Sequence, residues 1–175
     1  MLSKDGHDLR EYSCMQRLAY LNATKFGKGI EIVKVAYTKK EKQKMYDDLV
    51  KNNAEGIVFK LIDAPYTAGR PASGGSQLKH KFYAEATFIV ADMTKGKRSV
   101  GLELVGENGE RVFVGKVTIP PNKEVPSKGE LVEARYLYAY RGGAIFQSVY
   151  KGTRPDSDLT DATTKQLKYK AEVEA

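Results

Sequence analysis

The sequence predicts an α+β fold in which a region of mixed helices and strands is followed by a small five-stranded β-barrel. Two helix starts with apolar stripes behind them occur before residue 50. From residue 82 onward, apolar residues alternate with polar ones in short runs separated by turn residues, which indicates strands only. The change in periodicity places the boundary between the two regions near residue 82.

Each helix start is a capping box, in which a hydroxyl residue stands three positions before a glutamine or a glutamate. The boxes are Ser13 with Gln16, and Thr38 with Glu41. Between the helices, the β-branched run 30–37 predicts a strand. The apolar stripes predicted to be buried are Met15, Leu18 and Ala19 in the first helix, and Met45, Tyr46, Leu49 and Val50 in the second.

The barrel strands are predicted from alternating apolar residues and from the turns between them. An Asn-Gly pair at 108–109 marks a hairpin turn, and Gly115 marks a β-bulge. A Gly-Gly pair at 142–143 separates a fourth strand at 131–140 from a fifth at 145–150. Five short strands in this span are typical of a small Greek-key barrel of the oligonucleotide-binding kind, the OB-fold.

Two further predictions concern the fourth barrel strand and the residues after the barrel. Tyr136, Tyr138 and Tyr140 share one face of the fourth strand, where packing is expected rather than base stacking. The residues after 161 are polar and charged, which predicts a tail that is either a short helix or disordered.

Charge and cysteine content limit the class of protein. The chain has 175 residues and a formal net charge of +7, which favours a polyanionic partner such as nucleic acid. A basic surface that confers only solubility is the alternative. Cys14 is the only cysteine, which excludes an internal disulfide and a cysteine-rich zinc site. A single cysteine fits the reducing cytoplasm. No apolar run is long enough for a membrane span, so we expect a soluble protein without membrane partners. We also expect a monomer.

Two short segments predict a pocket for a polyphosphate. Glu55 begins the strand 55–60, and Lys79 and Lys81 stand two positions apart, so their side chains point the same way if the chain there is extended. A carboxylate that holds a divalent metal beside two lysines suits the transfer of a phosphate-linked group. Alternatively, the lysines belong to an exposed edge strand, with His80 between them structural or solvent-facing.

The order of these segments resembles the C-terminal half of the ATP-dependent DNA ligases, members of the nucleotidyltransferase superfamily. The run 55–60 (Glu-Gly-Ile-Val-Phe-Lys) is similar to the family's fourth motif, and 79–81 (Lys-His-Lys) to its fifth. The run 154–156 (Arg-Pro-Asp), after the barrel, is similar to the sixth. The segment 5–10 resembles the part of the family between its third and fourth motifs. The likeness therefore covers nearly the whole chain.

The resemblance implies a domain organisation and a nucleotide site. Residues 1–82 would be the C-terminal part of an adenylation domain, 83–160 an OB-fold DNA-binding domain, and 161–175 a polar tail. The site residues implied to bind ATP or AMP are Glu55, Lys60, Lys79 and Lys81, with Glu55 also contacting Mg²⁺ and the two lysines of the fifth motif holding the α-phosphate.

The resemblance also implies contacts outside the nucleotide site. Arg154 and Asp156 would act in catalysis by orienting the pyrophosphate of ATP. Tyr66 and Arg70 would lie beside a nick in double-stranded DNA, and the barrel would clamp that DNA across its minor groove. Two departures concern the motifs themselves: Ser157 replaces a lysine usual after the sixth motif, and Gln77 replaces an aromatic residue common before the fifth.

The family's first motif, Lys-x-Asp-Gly-x-Arg, supplies the lysine that attacks ATP, and this chain has no match to it. The run Lys4-Asp5-Gly6 with Arg10 fails both spacings of the motif. A nucleophilic lysine must be desolvated or placed beside other cations to lose its proton at neutral pH, and Lys4 is expected to be neither. The acidic strand of the third motif is also missing. We therefore expect the chain not to form the covalent adenylate by itself.

Three interpretations of function follow. The leading one is a DNA ligase that joins nicks in repair, replication or recombination, represented by its C-terminal part and acting with a missing N-terminal half in trans. The second is a non-catalytic nucleic-acid-binding module that has kept the barrel. The third is an RNA ligase or a capping guanylyltransferase. The compact arrangement resembles ligases of bacteria and their phages.

Overall fold

The computed structural model describes residues 1–69 and 74–171, and the chain divides into two units. The N-terminal unit comprises Met1–Asp48 and Gly56–His80. The barrel unit comprises Leu49–Glu55 and the chain from Lys81 onward. Among the described residues, no helix has the length and the apolar character that crossing a membrane requires.

The N-terminal unit is built from two hairpin-like strand pairs and two helices. The elements are β1 (Ser3–Lys4), β2 (His7–Asp8), α1 (Cys14–Asn22), α2 (Lys39–Lys51), β3 (Gly56–Lys60) and β4 (Gln77–Lys81). β1 and β2 form an antiparallel hairpin, and its turn residues Asp5 and Gly6 have positive φ angles of 51° and 81°. Asp-Gly favours such a turn because both central residues must adopt positive φ. The Lys-Asp-Gly run is therefore a hairpin turn.

Helix α1 begins at the predicted capping box, but its buried face differs from the prediction. The Ser13 hydroxyl accepts a hydrogen bond from the Gln16 N–H (3.2 Å), and the Gln16 side chain accepts one from the Ser13 N–H (2.9 Å). The predicted apolar stripe is wrong for Met15 and Ala19, which are exposed, and Leu18 is only half-buried. The buried residues are Cys14 and Arg17. The Arg17 guanidinium donates hydrogen bonds to backbone carbonyls of residues 12 and 64, and these contacts bury its side of the helix.

Helix α2 also begins at its predicted capping box. The Thr38 hydroxyl accepts a hydrogen bond from the Glu41 N–H (3.2 Å), and the Glu41 carboxylate accepts one from the Thr38 N–H (2.9 Å). The helix terminates where Asn53, with a φ of 53°, forms a left-handed cap. None of its residues is fully buried, so the predicted stripe is covered only in part.

The predicted strand at 30–37 is wrong, because the structure has no regular element there. Ile30, Val33 and Val35 are exposed. A β-branched composition favours extended backbone, but a strand also needs a ladder partner. No strand within residues 1–69 and 74–171 pairs with this segment.

The barrel unit contains one five-stranded antiparallel sheet. Its elements are β5 (Ala84–Met93), β6 (Ser99–Val105), β7 (Arg111–Thr118), β8 (Leu131–Tyr136), β9 (Tyr138–Ala139), β10 (Ile145–Phe146), β11 (Val149–Thr153) and a 3₁₀ turn at Thr164–Gln166. The strand order is β11-β8-β5-β6-β7, in which the last four have the order of a Greek key. The Ser148 hydroxyl donates a hydrogen bond to the Lys116 carbonyl (2.7 Å), which links the segment before β11 to β7. The arrangement is OB-fold-like.

The barrel core contains the predicted strands and the predicted bulge, but the predicted alternation fails in β5, where Thr87 and Ile89 are buried as well. Apolar side chains from every strand of the five-stranded sheet form one buried cluster, with Phe88 and Leu102 completely covered. The β6–β7 register shifts where Leu102 pairs with Gly115 but Glu103 pairs with Phe113, which confirms the bulge. The predicted fourth and fifth strands are each divided in two, as β8 with β9 and β10 with β11.

The segment after residue 161 packs on the barrel, whereas its composition suggested a polar tail. Ala162 and Leu167 are buried in the core cluster. The Gln166 amide accepts a hydrogen bond from the Thr87 N–H (3.2 Å) and donates one to the Thr87 carbonyl (2.9 Å). Backbone hydrogen bonds join Ala139 to positions 168 and 170 (both 2.8 Å), so the segment is held by backbone contacts that its composition does not reveal.

Candidate functional site

Glu55 and Lys81 lie side by side where the chain enters the barrel. Lys81 Nζ is 3.5 Å from Glu55 Oε1, and the N–H of Phe82 donates a hydrogen bond to the Glu55 carbonyl (3.0 Å). The Lys81 side chain is 26% exposed and that of Glu55 57% exposed. Solvent screens a pair this open, so its contribution to stability is small. Both charged groups therefore stay accessible to a ligand.

Two residues that the sequence analysis missed complete the surroundings of this pair. Gln147 Oε1 accepts a hydrogen bond from Lys81 Nζ (2.9 Å), and Gln147 has a left-handed φ of 56°. Lys168 Nζ donates hydrogen bonds to the carbonyls of Phe82 (2.5 Å) and Ala54 (3.4 Å), and burial lowers the pKa of Lys168. In the sequence, lysines alternate with apolar residues at 167–170. This alternation was the one signal that the segment around Lys168 is extended and packs on the barrel.

The β3–β4 sheet gives Lys60 and Lys79 a common face. Backbone hydrogen bonds join position 82 to position 55 (3.0 Å) and position 61 to position 76 (2.8 Å), and both fit one antiparallel register. In that register Val58 lies opposite Lys79, and Lys60 shares their face because side chains alternate. Both lysines are exposed. This face carries positive charge that suits phosphate oxygens.

The loop residues predicted to contact DNA are only partly described. Tyr66 is half-buried in the N-terminal unit, and its N–H donates a hydrogen bond to the Arg10 carbonyl (2.8 Å). Arg70 lies outside the described residues.

The Asp8 carboxylate binds the Arg10 guanidinium with an oxygen–nitrogen distance of 2.6 Å, which holds the pKa of Asp8 at about 2.

Arg154 and Asp156 bind each other. The Arg154 guanidinium donates hydrogen bonds to the two Asp156 carboxylate oxygens (3.0 and 3.1 Å), and another of its nitrogens lies 3.6 Å from Glu133 Oε1. The hydrogen bond from Arg154 lowers the pKa of Asp156. One guanidinium between two carboxylates leaves the cluster with excess negative charge. The bonds to Asp156 use two of the five guanidinium N–H donors, and the Arg154 side chain is 34% exposed, so donors remain for an anion.

Tyr136 and Tyr138 are packed, as predicted, whereas Tyr140 is 42% exposed. Tyr136 is completely buried and meets the ring of Phe88 edge-on, with centroids 6.0 Å apart. Tyr138 stacks on Phe146 with centroids 5.1 Å apart and meets Tyr140 edge-on at 5.4 Å. A hydrogen bond to Tyr140 raises the pKa of Tyr138 to about 12, and burial and the charge of Glu55 act in the same direction.

Glu55 is a single exposed carboxylate rather than part of a cluster of metal ligands among the described residues. Within the described parts of the chain, no three His, Cys, Asp or Glu side chains lie close enough together to hold a metal ion. Mg²⁺ in nucleotide sites takes one or two carboxylates and completes its coordination with phosphate oxygens and water. Glu55 alone can supply such a carboxylate, so it fits Mg²⁺ that is bound mainly through phosphates.

The comparisons with known proteins identify a shared fold. Neither a protein-family model nor a curated protein matches the sequence. The chain is similar to a solved Lig E DNA ligase, studied for DNA binding with a minimal scaffold, at 16% identity and a TM-score of 0.59. The match covers 82% of this chain and 59% of that one. A second structure, designated Pmar-Lig_PreS3, is 20% identical with a TM-score of 0.51, over 67% of this chain and 32% of that one.

These likenesses concern the fold. The chain spans 59% of the length of the Lig E ligase and about a third of the second structure, for which the match covers 32%. Over 82% of its length, this chain therefore shares with the Lig E ligase a mixed α+β fold, which here includes an OB-fold-like five-stranded sheet.

Proposed function

We propose that this chain is the C-terminal part of an ATP-dependent DNA ligase. Residues 1–82 are assigned to the end of an adenylation domain and residues 83–160 to an OB-fold DNA-binding domain. The observation that carries the proposal is the Glu55–Lys81 pair directly before the barrel, in a chain that shares the Lig E fold. The positive net charge supports a nucleic acid as the partner.

The nucleotide contacts follow from the charges at the site. Lys60, Lys79 and Lys81 bind phosphate oxygens of ATP or AMP, and Glu55 supplies a carboxylate to Mg²⁺. A phosphate oxygen replaces the Glu55 carboxylate as the partner of Lys81, since the exposed ion pair is weak and its two groups separate at little cost in free energy. Fixed ammonium groups next to the α-phosphate stabilise the negative charge that develops during adenylate transfer.

The remaining roles concern the pyrophosphate and the DNA. Arg154 binds the pyrophosphate of ATP through the N–H donors that Asp156 does not use, and Asp156 orients the guanidinium. Tyr66 and Arg70 contact double-stranded DNA beside a nick, and the barrel binds its minor groove. Nick joining in repair, replication or recombination is the proposed role.

The chain requires a nucleophile from elsewhere. Lys4 lies in a two-residue strand before a tight turn, and the Lys-x-Asp-Gly-x-Arg motif is absent from the sequence. Incubation with labelled ATP and Mg²⁺ is therefore expected to leave the chain unlabelled. A labelled band that disappears in a Lys4→Ala variant would contradict this expectation.

Nick sealing in trans tests the proposed function. The substrate is a duplex with one 5′-phosphorylated nick, supplied with ATP, Mg²⁺ and a second polypeptide that carries the missing ligase half. We expect sealing only when both polypeptides are present, and loss of sealing in Lys81→Ala and Glu55→Gln variants. Lys151→Met is the control, because Lys151 forms a comparable exposed ion pair with Glu85 on the barrel.

The absence of the nucleophile motif favours a second candidate, a nucleic-acid-binding module that has lost the chemistry. Nick binding that weakens steeply with salt, without sealing in the reconstituted reaction, would support this candidate and contradict the first. Sealing of a nicked RNA duplex in preference to DNA would instead indicate an RNA ligase.

A further inference from the structure

Gln147 has a backbone conformation that glutamine rarely adopts. Its φ is 56°, in the left-handed region, where the Cβ of an L residue lies too close to the following carbonyl oxygen. Among the described residues, the other non-glycine positions with positive φ hold Asp5 and Asn53, whose short polar side chains tolerate this region. The preceding turn has glycine at its two positive-φ positions, Gly142 and Gly143. The conformation of Gln147 therefore costs free energy that the local sequence does not offset.

Contacts on both sides of Gln147 hold it in this conformation. Before it, the Phe146 carbonyl accepts a hydrogen bond from the Leu137 N–H (2.9 Å). After it, the Ser148 hydroxyl donates a hydrogen bond to the Lys116 carbonyl (2.7 Å). A strained residue persists in a folded protein where the surrounding structure over-determines its conformation, and such residues cluster at functional sites. The strain at Gln147 is therefore a reason to ask what its side chain does.

The side chain of Gln147 contacts the ammonium group of Lys81. Gln147 Oε1 accepts a hydrogen bond from Lys81 Nζ at 2.9 Å, although the two residues are 66 positions apart in the sequence. The Glu55 carboxylate lies farther from the same nitrogen, at 3.5 Å. An ammonium group can only donate hydrogen bonds, so the amide presents its oxygen to Lys81 and turns its NH₂ group elsewhere. The closer of the two partners of Lys81 is therefore a neutral one.

A neutral partner positions an ammonium group without cancelling its charge. A carboxylate at 2.9 Å would neutralise much of the charge that an anion could use, whereas an amide oxygen supplies only a dipole. The lysine side chain is a flexible stem that loses rotamer entropy when it is ordered. A lysine that is already ordered in the unbound protein loses less entropy when a ligand binds. The contact with Gln147 therefore suits Lys81 to binding a phosphate oxygen.

We propose that Gln147 is a positioning residue, which aims the Lys81 ammonium at a phosphate group of the bound nucleotide. The inference rests on the proposed function, because it takes the ligand of Lys81 to be a nucleotide. The strained backbone at Gln147 is maintained for this contact. If the residue served only the path of the chain between β10 and β11, glycine would follow the same path without strain.

Three substitutions of Gln147 separate a positioning role from a structural one. Gln147→Met keeps the length of the side chain and removes the acceptor. Gln147→Glu keeps the acceptor and adds a negative charge beside Lys81. Gln147→Gly removes the side chain and the backbone strain together. Gln43→Met is the matched control, because Gln43 is an exposed glutamine on α2 whose amide donates a hydrogen bond to Asp47 (2.9 Å).

The first measurement follows the Lys81 ammonium group by ¹⁵N NMR of the full chain, without any ligand. A hydrogen-bonded ammonium group exchanges its protons with water slowly. We expect slow exchange at Lys81 in the unsubstituted chain, in Gln147→Glu and in Gln43→Met. We expect fast exchange in Gln147→Met and Gln147→Gly. Equal exchange rates in the unsubstituted chain and in Gln147→Met would overturn the proposal.

The second measurement compares AMP binding, by calorimetry, with the midpoint of thermal unfolding. Gln147→Met and Gln147→Gly should weaken AMP binding about threefold to tenfold. Gln147→Glu should weaken it at least as much although Lys81 stays ordered, since the added charge repels phosphate. Gln147→Gly should leave the midpoint unchanged or raise it by up to about 4 °C. A structural role predicts the reverse, so a lowered midpoint in Gln147→Gly with unchanged AMP binding would overturn the proposal.

Together the two measurements separate this inference from the proposed function. Gln147-dependent ordering of Lys81 in a chain that binds no AMP would uphold the positioning of the lysine and contradict the proposed nucleotide site. AMP binding of equal strength in the unsubstituted chain and in Gln147→Met would uphold the nucleotide site and contradict the role given to Gln147.

Discussion

The ammonium group of Lys81 lies 3.5 Å from the carboxylate of Glu55, and the backbone N–H that follows Lys81 donates to the Glu55 carbonyl. Two segments that are distant in sequence thus meet through side chains and backbone together. The backbone bond fixes their spacing, while the exposed ion pair adds little to stability. The backbone hydrogen bond positions Lys81, and its ammonium group stays partly exposed to solvent.

Replacing Glu55 by glutamine is expected to separate stability from function. Because the pair with Lys81 is half exposed, the free energy of unfolding should fall by less than about 1 kcal/mol. Nick sealing in the reconstituted reaction should fall far more, since the carboxylate proposed to hold Mg²⁺ is lost. Urea denaturation and the sealing assay measure the two effects. In the matched Glu85→Gln variant, which breaks a similar pair with Lys151, sealing should persist.

Replacing Lys168 by methionine is expected to destabilise the entrance to the barrel. The change removes the donor to the Phe82 and Ala54 carbonyls, and unsatisfied buried polar groups cost about 1–3 kcal/mol. Urea denaturation measures the loss. Lys165→Met, at an exposed neighbouring position, should leave stability unchanged; an equal loss in both variants would contradict the role given to Lys168.

The ion pair between Arg154 and Asp156 is expected to be lost at low pH, when Asp156 is protonated. The hydrogen bond from Arg154 lowers the pKa of Asp156 below that of a free aspartate, about 3.9. Its contribution to stability is therefore complete above the unfolded pKa and is lost as the pH falls through the folded one. Carboxyl NMR titration should show the lowered pKa, with a return toward the free value in Arg154→Met. An unchanged titration in that variant would contradict the assignment.

The raised pKa of Tyr138 predicts a loss of stability at high pH. The hydrogen bond to Tyr140 raises the pKa of Tyr138 to about 12, above the value of about 10 for a free tyrosine. The associated stability is present below the unfolded pKa and is lost as the pH rises through the folded one. Ultraviolet titration of tyrosinate should show late-titrating groups, since burial raises the pKa values of Tyr136 and Tyr150 as well, and Tyr140→Phe should shift the titration of Tyr138 to lower pH. Tyr37→Phe, in the other unit, should leave it in place.

The sequence predicted the barrel well because its interactions repeat locally. Alternation at two-residue spacing places Phe88 and Val90 in the core, and the glycine at 115 marks the bulge, without reference to any distant residue. The two helix starts were equally predictable, since a capping box is complete within four residues.

Prediction failed where a partner outside the local window decides the outcome. The β-branched run at 30–37 has strand composition but no ladder partner among the described residues, so it forms no strand. The buried face of α1 follows the Arg17 guanidinium and its carbonyl partners rather than the apolar stripe. The segment that contains Leu167 docks on the barrel through a few side chains within a polar composition.

For the candidate site, the sequence by itself determined the types and spacing of the charged residues: a carboxylate before a strand, two lysines at alternate positions, and an arginine near an aspartate. The tertiary structure decided their partners. It paired Lys81 with Glu55 and Gln147, enclosed Arg154 between two carboxylates, and brought Lys168 to the backbone at the barrel entrance. The spacing of residues along a strand fixes the direction in which their side chains point. Contact between distant segments depends instead on how the whole chain folds.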